Sequence, residues 1–258
     1  MATGASWMKY GLWKKADMNL AIIGGTGALN LFEVAEQRTL STHYGEPSAP
    51  LVRIRLGDKP AWFLARHGQP HRIPPHRVNY RANIQALHDL GVDSVVAINA
   101  VGGIDPDLAP GALVVPDQLV DYTWGRVHSF SDDANDPLEH IEFGQPYSHA
   151  IRRALLDAAA AAKVPVKDGG CYAVTQGPRL ETEAEIRRLG ADGCTLVGMT
   201  AMPEAALARE RAIDYGMLCV VANPAAGVSD DPISIDEIHA VLDQAMSKVA
   251  RVLMSMKA

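Results

Sequence analysis

Two apolar runs dictate the architecture. Ser94-Val95-Val96-Ala97-Ile98-Asn99-Ala100 and Leu218-Cys219-Val220-Val221-Ala222 show no alternation of polar and apolar residues. A strand of this kind is covered on both faces, as in a parallel or mixed sheet flanked by helices. Each run ends on small or polar residues, Val101-Gly102-Gly103 in the first case and Asn223-Pro224-Ala225-Ala226-Gly227 in the second. Ligands of open α/β sheets bind outside the carboxyl ends of the strands, so Asn223 is expected to face a ligand.

Strand and helix patterns alternate along the rest of the chain. Strands are expected at Leu20–Ile23, Leu51–Leu56, Ala61–Ala65, Ala112–Pro116, Gly170–Thr175 and Cys194–Gly198. Helical spacing covers Tyr80–Leu90, with Ile84, Leu87 and Leu90 on one face and Gly91 as the stop, and recurs at Ser148–Ala162, Ala205–Ile213 and Ser234–Met254. Another helix should begin near Thr182, where Thr182 and Glu185 can form a capping box. The polar stretch Trp124–Pro146, carrying His128 and His140, is expected as a long loop, and loops of that length usually serve function or a subunit interface. The fold class is therefore α/β: a single domain over residues 18–258 with a central mixed β-sheet flanked by helices. Residues 1–17 lack a secretory pattern and are expected to be a disordered extension.

Charge and cysteine usage exclude several classes. A net charge of −6 gives no footprint for nucleic acid or an anionic membrane surface, and no apolar stretch approaches the ~20 residues of a membrane span. Cys171, Cys194 and Cys219 form no Cys-x-x-Cys pair, which points to reduced thiols in the cytoplasm and gives no metal site.

The polar residues at the strand ends suggest anion chemistry. Gly24-Gly25-Thr26-Gly27 follows the first strand and can be a dinucleotide fingerprint, a nest for free phosphate or a plain turn. The first option lacks an acidic residue closing a second strand ~20 residues on. Arg66-His67-Gly68 leaves another strand end, where the arginine fork suits phosphate and His67 could donate to the same anion or to a substrate hydroxyl. The loop beyond it, Gln69–Arg77, is polar and pinned by Pro70, Pro74 and Pro75, as site loops often are.

Taken in order, Gly24-Gly25-Thr26-Gly27, Arg66-His67-Gly68, Val78–Ile84, Asn99–Gly103, Gln176–Thr182 and Gly198–Glu204 resemble the trimeric purine nucleoside phosphorylase and methylthioadenosine phosphorylase family. The resemblance implies a homotrimer and reversible phosphorolysis of a purine nucleoside, with inorganic phosphate as co-substrate and no metal or organic cofactor. It implies a phosphate shell of Thr26, Arg66, His67, the Ala100 backbone amide and Thr200, with Met199 against the ribose. It also places Leu180 and Glu181 near the base, and His140 in the neighbouring subunit's site.

Base choice departs from the adenine-cleaving relatives, which resemble this chain but carry Thr-Asp-x-Asp after the last strand. Here the stretch is Ala222-Asn223-Pro224-Ala225, so both acids are missing. An amide can donate to N7 and to a carbonyl at position 6, which an ionised carboxylate cannot. Glu181 could accept from the N1–H that only 6-oxopurines carry. At the sugar's 5′ end, Ile235 and Ile238 offer an apolar patch suited to a methylthio group, His71 could line the same side, and His239 is expected on another face. The expectation is phosphorolysis of S-methyl-5′-thioinosine, in which Asn223, His67 and Arg66 carry the chemistry. The alternatives are inosine or guanosine phosphorolysis, methylthioadenosine phosphorolysis, or a non-catalytic purine-binding module.

Overall fold

The computed structural model describes residues 18–29, 32–132 and 138–256, so the expected extension at residues 1–17 lies outside the described residues. The strands are β1 (Leu20–Gly24), β2 (Val34–Arg38), β3 (Leu51–Leu56), β4 (Lys59–Ala65), β5 (Ser94–Gly103), β6 (Leu113–Val115), β7 (Gln118–Asp121), β8 (Val166–Asp168), β9 (Cys171–Val174), β10 (Leu196–Gly198) and β11 (Asp214–Pro224). The helices are α1 (Thr26–Leu29), α2 (Tyr80–Asp89), α3 (His149–Ala161), α4 (Glu183–Ala191), α5 (Ala201–Glu210) and α6 (Ile235–Met254), with one 3-10 turn at Pro75–Arg77. The strands form one mixed sheet ordered β2-β3-β4-β1-β5-β10-β9-β7, and β11 branches from β5 to reach β6 and β8.

The two apolar runs are the paired centre of this sheet. β5 and β11 run parallel over their full lengths, from Asp214 opposite Ser94 to Pro224 opposite Gly103. On its other edge β5 pairs with β1 over Ser94–Ala97 and with β10 only at Gly102 and Gly103. Between those partners, residues 98–101 have no strand beside them on this edge among the described residues, and the sheet splits there. The ladder between β5 and β11 shifts register between Val221 and Asn223. A bulge of this kind re-aims the side chains that follow it.

The core lies on both faces of this centre. Ile22, Ile23, Phe63, Leu64, Leu113, Ile84 and Leu87 are fully buried, each contributing on the order of 1.5–3 kcal/mol relative to exposure. A smaller cluster of Ala173, Ile186, Leu189, Val197 and Ala225 seats α4 against β9 and β10. α4 starts on the expected capping box, since Thr182 accepts from the Glu185 N–H while Glu185 accepts from the Thr182 N–H. Ser234 likewise accepts from the Glu237 N–H at the start of α6.

Two local expectations are corrected, and two strands are present that the sequence pattern did not predict. The segment after β1 is a single helical turn, α1, and neither Gly24 nor Gly25 uses positive φ. What Gly24 supplies is room, because a Cβ there would sit 3.3 Å from Cβ of Ala28. α5 begins at Ala201, is kinked at Met202 and ends at Glu210, short of Ile213. β2 is an edge strand exposed at all five residues and β8 spans three residues, so neither carries an apolar pattern that a sequence could announce.

Candidate active site

A cavity of about 1030 Å³ opens where the sheet splits. Its floor is the free edge of β5 from Ile98 to Gly102, its walls are the ends of β4, β10 and β11, and one face of α6 closes a side. Arg66, His67, His71, Ala100, Leu180, Glu181, Met199, Thr200, Asn223, Ala225, Ile235 and Ile238 all line it. These residues come from seven places along the chain, so their meeting depends on the strand order.

The phosphate-side groups form a polar chain. Arg66 is only 2% exposed and gives its planar fork to Glu204, with Nε 2.7 Å from Oε2 and Nη2 2.8 Å from Oε1. Glu204 is fully buried and also accepts from the Tyr215 hydroxyl at 2.8 Å. Burial pulls the Arg66 guanidinium down, but the charge and hydrogen bonds of Glu204 outweigh this and raise it above an ordinary arginine. Arg66 Nη2 also reaches Asn99 Oδ1 at 3.3 Å, and Asn99 Nδ2 donates to Thr200 Oγ1 at 2.6 Å. A hydroxyl that accepts from an amide keeps its own hydrogen to donate, and that of Thr200 is free for a ligand in the cavity. The expected arginine fork for phosphate is therefore occupied by Glu204. What remains to a ligand is the Nη1 edge, which makes one bond of 3.3 Å to the Ile98 carbonyl.

His67 is fixed in one tautomer. Its Nδ1 lies 2.8 Å from the Ile73 carbonyl, which can only accept, so Nδ1 carries the proton. Burial, with the adjacent Arg66 charge, pushes the imidazole down to about 4, leaving it neutral near pH 7. Nε2 then accepts instead of donating, so the sequence expectation of a donor to the anion is replaced by an acceptor for a hydroxyl or a P–OH. The ring stacks on His71 at 4.4 Å with an interplanar angle of 7°. His71 is lowered by burial and by His239.

At the wall expected to meet the base, Thr175 Oγ1 donates to Glu181 Oε1 at 2.6 Å, which holds the carboxylate at the cavity. Asn223 Nδ2 donates to the Pro224 carbonyl at 2.6 Å, leaving one amide hydrogen and Oδ1 for a ligand. Ala225 is buried beside Gly102, where its Cβ fills space that a larger side chain would contest.

α6 corrects the expectation for the sugar's 5′ end. His239 lines the cavity together with Ile235, Ile238, Leu242 and Met246. Residues at i, i+3, i+4, i+7 and i+11 share one helix face, so His239 belongs to the same stripe as Ile235. His140 is exposed and does not line this subunit's cavity. The side chain of Thr26 lies outside the described residues, although its neighbours Gly25 and Ala28 are at the cavity. Asn99 and Glu204, which orient Thr200 and Arg66, were not anticipated as site residues. A lone acid in the apolar run Ala201-Met202-Pro203-Glu204-Ala205-Ala206-Leu207 was the available signal, since such a group is buried only with a partner. Among the described residues, no group of three or more His, Cys, Asp or Glu side chains could hold a metal ion.

The family model described as "Phosphorylase superfamily" matches residues 19–258. The chain belongs to the phosphorylase superfamily. It is accordingly an enzyme, a pentosyltransferase of the nucleoside phosphorylase type, and the resemblance carried by the ordered motifs is borne out. It is 51% identical over 238 residues to a probable S-methyl-5′-thioinosine phosphorylase of Pseudomonas syringae pv. tomato, covering 90% of this chain and 96% of that relative. It is 40% identical over 245 residues to a 6-oxopurine nucleoside phosphorylase of Pyrococcus furiosus, covering 92% and 91%. Its fold matches methylthioadenosine phosphorylase from Schistosoma mansoni in complex with adenine, with a TM-score of 0.87, 32% identity and coverage of 93% and 90%. The expected α/β single domain with a mixed sheet thus holds.

Proposed function

We propose that this enzyme phosphorolyses S-methyl-5′-thioinosine to hypoxanthine and 5-methylthioribose 1-phosphate. The observation that carries the proposal is one cavity lined by Asn223 and Glu181, with alanine instead of a second acid at position 225. The names of relatives about half identical to this chain support the same substrate.

Inorganic phosphate, the co-substrate, takes the Thr200 hydroxyl, the Ala100 edge of β5 and the Nη1 edge of Arg66, with Thr26 completing the shell. The neutral His67 accepts from a phosphate P–OH or a ribose hydroxyl. A phosphate oxygen forms the new bond to C1′ as the bond from C1′ to N9 breaks, and the electron pair leaves with the purine. Negative charge then grows on N7 and O6, where the free amide hydrogen of Asn223 faces it while Glu181 accepts from N1–H. A donor placed where charge develops lowers the barrier more than one that binds substrate and transition state alike. Met199 packs on the ribose, Leu180 near the base, and Ile235, Ile238 and His71 around the 5′ substituent.

The enzyme acts as a homotrimer in which His140 completes a neighbour's site. In keeping with this, Trp124 is 71% and Leu138 79% exposed on the stretch that carries His140, where a subunit contact would cover them. A cytoplasmic location is supported by three free cysteines, and no helix among the described residues is long and apolar enough to cross a membrane.

A second substrate, inosine, is favoured by one observation. His239 lies on the same α6 stripe as Ile235 and could bond a free 5′-hydroxyl. Comparing phosphate-dependent release of purine from methylthioinosine and inosine separates the two. Equal or faster use of inosine overturns the methylthio assignment.

A further inference from the structure

The segment after β7 sends one side chain back beneath the site. The Arg126 guanidinium donates from Nη1 to the carbonyls of Met199 at 2.8 Å and Met202 at 2.6 Å, and from Nη2 to those of Gln176 at 2.8 Å and Thr175 at 3.2 Å. Its Nε reaches the Gln176 side-chain oxygen at 3.2 Å, and Nη1 lies 3.4 Å from the Tyr80 hydroxyl. Met199 and Met202 bracket Thr200, the hydroxyl on the phosphate side. Thr175 holds Glu181, the carboxylate on the base side. One planar group therefore ties together the two backbone segments that present opposite ends of the ligand.

We propose that Arg126 is a positioning residue that fixes the spacing between the phosphate-side and base-side groups and contributes half-buried positive charge to the phosphate end. The inference rests on the phosphorolysis proposed above. The charge argument comes from the contrast with Arg66, whose cation is neutralised by the bidentate Glu204. Among the described residues, no carboxylate forms an ion pair with Arg126, so its hydrogen bonds are all to neutral oxygens and the more distant Asp121 charge offsets it only in part. A lysine cannot replace it, because an ammonium presents its donors from one point and cannot span acceptors on two segments. Burial lowers the guanidinium, while Tyr80 and the Asp121 charge act in the opposite direction.

The test compares the parent enzyme with R126K and R126A. Steady-state kinetics in phosphate and in methylthioinosine are measured beside the melting temperature. A misplacement of about 1 Å costs on the order of 100-fold in rate, so R126K should lose about that much in kcat with little change in melting temperature. Free guanidinium at millimolar concentration should restore R126A in a saturable way, which a purely structural role would not produce. Activity of both variants within about threefold of the parent overturns the inference. If R126A does not fold, R126K decides: parent-like kcat overturns the inference and a stable, slow enzyme supports it. If the parent cleaves none of the nucleosides, the functional reading fails on its own, and Arg126 is judged by calorimetric binding of inorganic phosphate. Parent binding that is at least tenfold tighter than that of R126K supports the inference, while equal or undetectable parent binding overturns it.

Discussion

Replacing Asn223 by aspartate changes one atom of the side chain and reverses its hydrogen-bond role. The Asn223 amide has two hydrogens, and one is committed to the Pro224 carbonyl at 2.6 Å. The other is the donor left for N7 or O6 of the leaving purine. N223D removes both. The first loss sets a carboxylate oxygen against a half-buried carbonyl and removes a hydrogen bond worth roughly 0.5–1.5 kcal/mol of folding stability. The second removes a single donor from developing negative charge, which costs roughly 100- to 1000-fold in kcat. N223D should therefore lower kcat/KM for methylthioinosine by about that factor near neutral pH. The deficit should shrink as pH falls, since a protonated carboxyl regains one donor. Adding A225D supplies the second acid, and the double variant should shift its preference toward methylthioadenosine. The assay is phosphate-dependent purine release from both substrates between pH 5 and 8, with melting temperature recorded to separate folding from catalysis. If N223D stays within about threefold of the parent on methylthioinosine, the amide does not read the base.

Other outcomes follow from the surrounding groups. E204Q leaves Arg66 buried without its counter-charge, so unfolding in urea should show a loss of about 3–5 kcal/mol, as for other broken buried pairs. His67 titrates at about 4 when folded against 6.5 otherwise, so between those values the unfolded chain binds the extra proton. Stability should thus fall as pH drops through that window, H67Q should flatten the slope, and an unchanged slope by urea denaturation would contradict the buried neutral imidazole. H239L should reduce turnover of inosine while sparing methylthioinosine, and an equal effect on both would remove His239 from the 5′ pocket.

Much of this architecture was legible because the central strands are apolar on both faces and their ends are chemically abrupt. The runs at Ser94 and Leu218 announced β5 and β11, and Asn223 follows directly from where β11 stops. The capping box at Thr182 and the glycine stop at Gly91, whose φ is +71°, are local signals that local structure obeys. Less legible was anything that depends on partners distant in sequence. Arg66 looked like a free phosphate ligand because Glu204, 138 residues later, cannot be seen from the strand that carries it. The His67 tautomer depends on a backbone carbonyl six residues away, contributed by the fold of the proline-pinned loop. Arg126 sits in a polar stretch without periodicity, and only the three-dimensional meeting of residues 175–176 with residues 199–202 gives it a role. His239 is a different case. Its i+4 spacing from Ile235 is enough by itself to place it on the cavity stripe.

These features divide the site's work. Arg66 and Glu204 form a neutral buried brace, Asn99 passes orientation from that brace to Thr200, and the bulge in β11 falls just before Asn223, which lines the cavity. Charge placement and geometry, with no covalent nucleophile, account for the proposed chemistry.

Purine release in the presence of phosphate, measured side by side on methylthioinosine, inosine, guanosine and methylthioadenosine, tests the central claim most directly. The arrangement of Asn223, Glu181 and Ala225 predicts the lowest kcat/KM for methylthioadenosine, and the apolar Ile235 and Ile238 at the 5′ end predict the highest for methylthioinosine. Cleavage of methylthioadenosine as fast as methylthioinosine would contradict it.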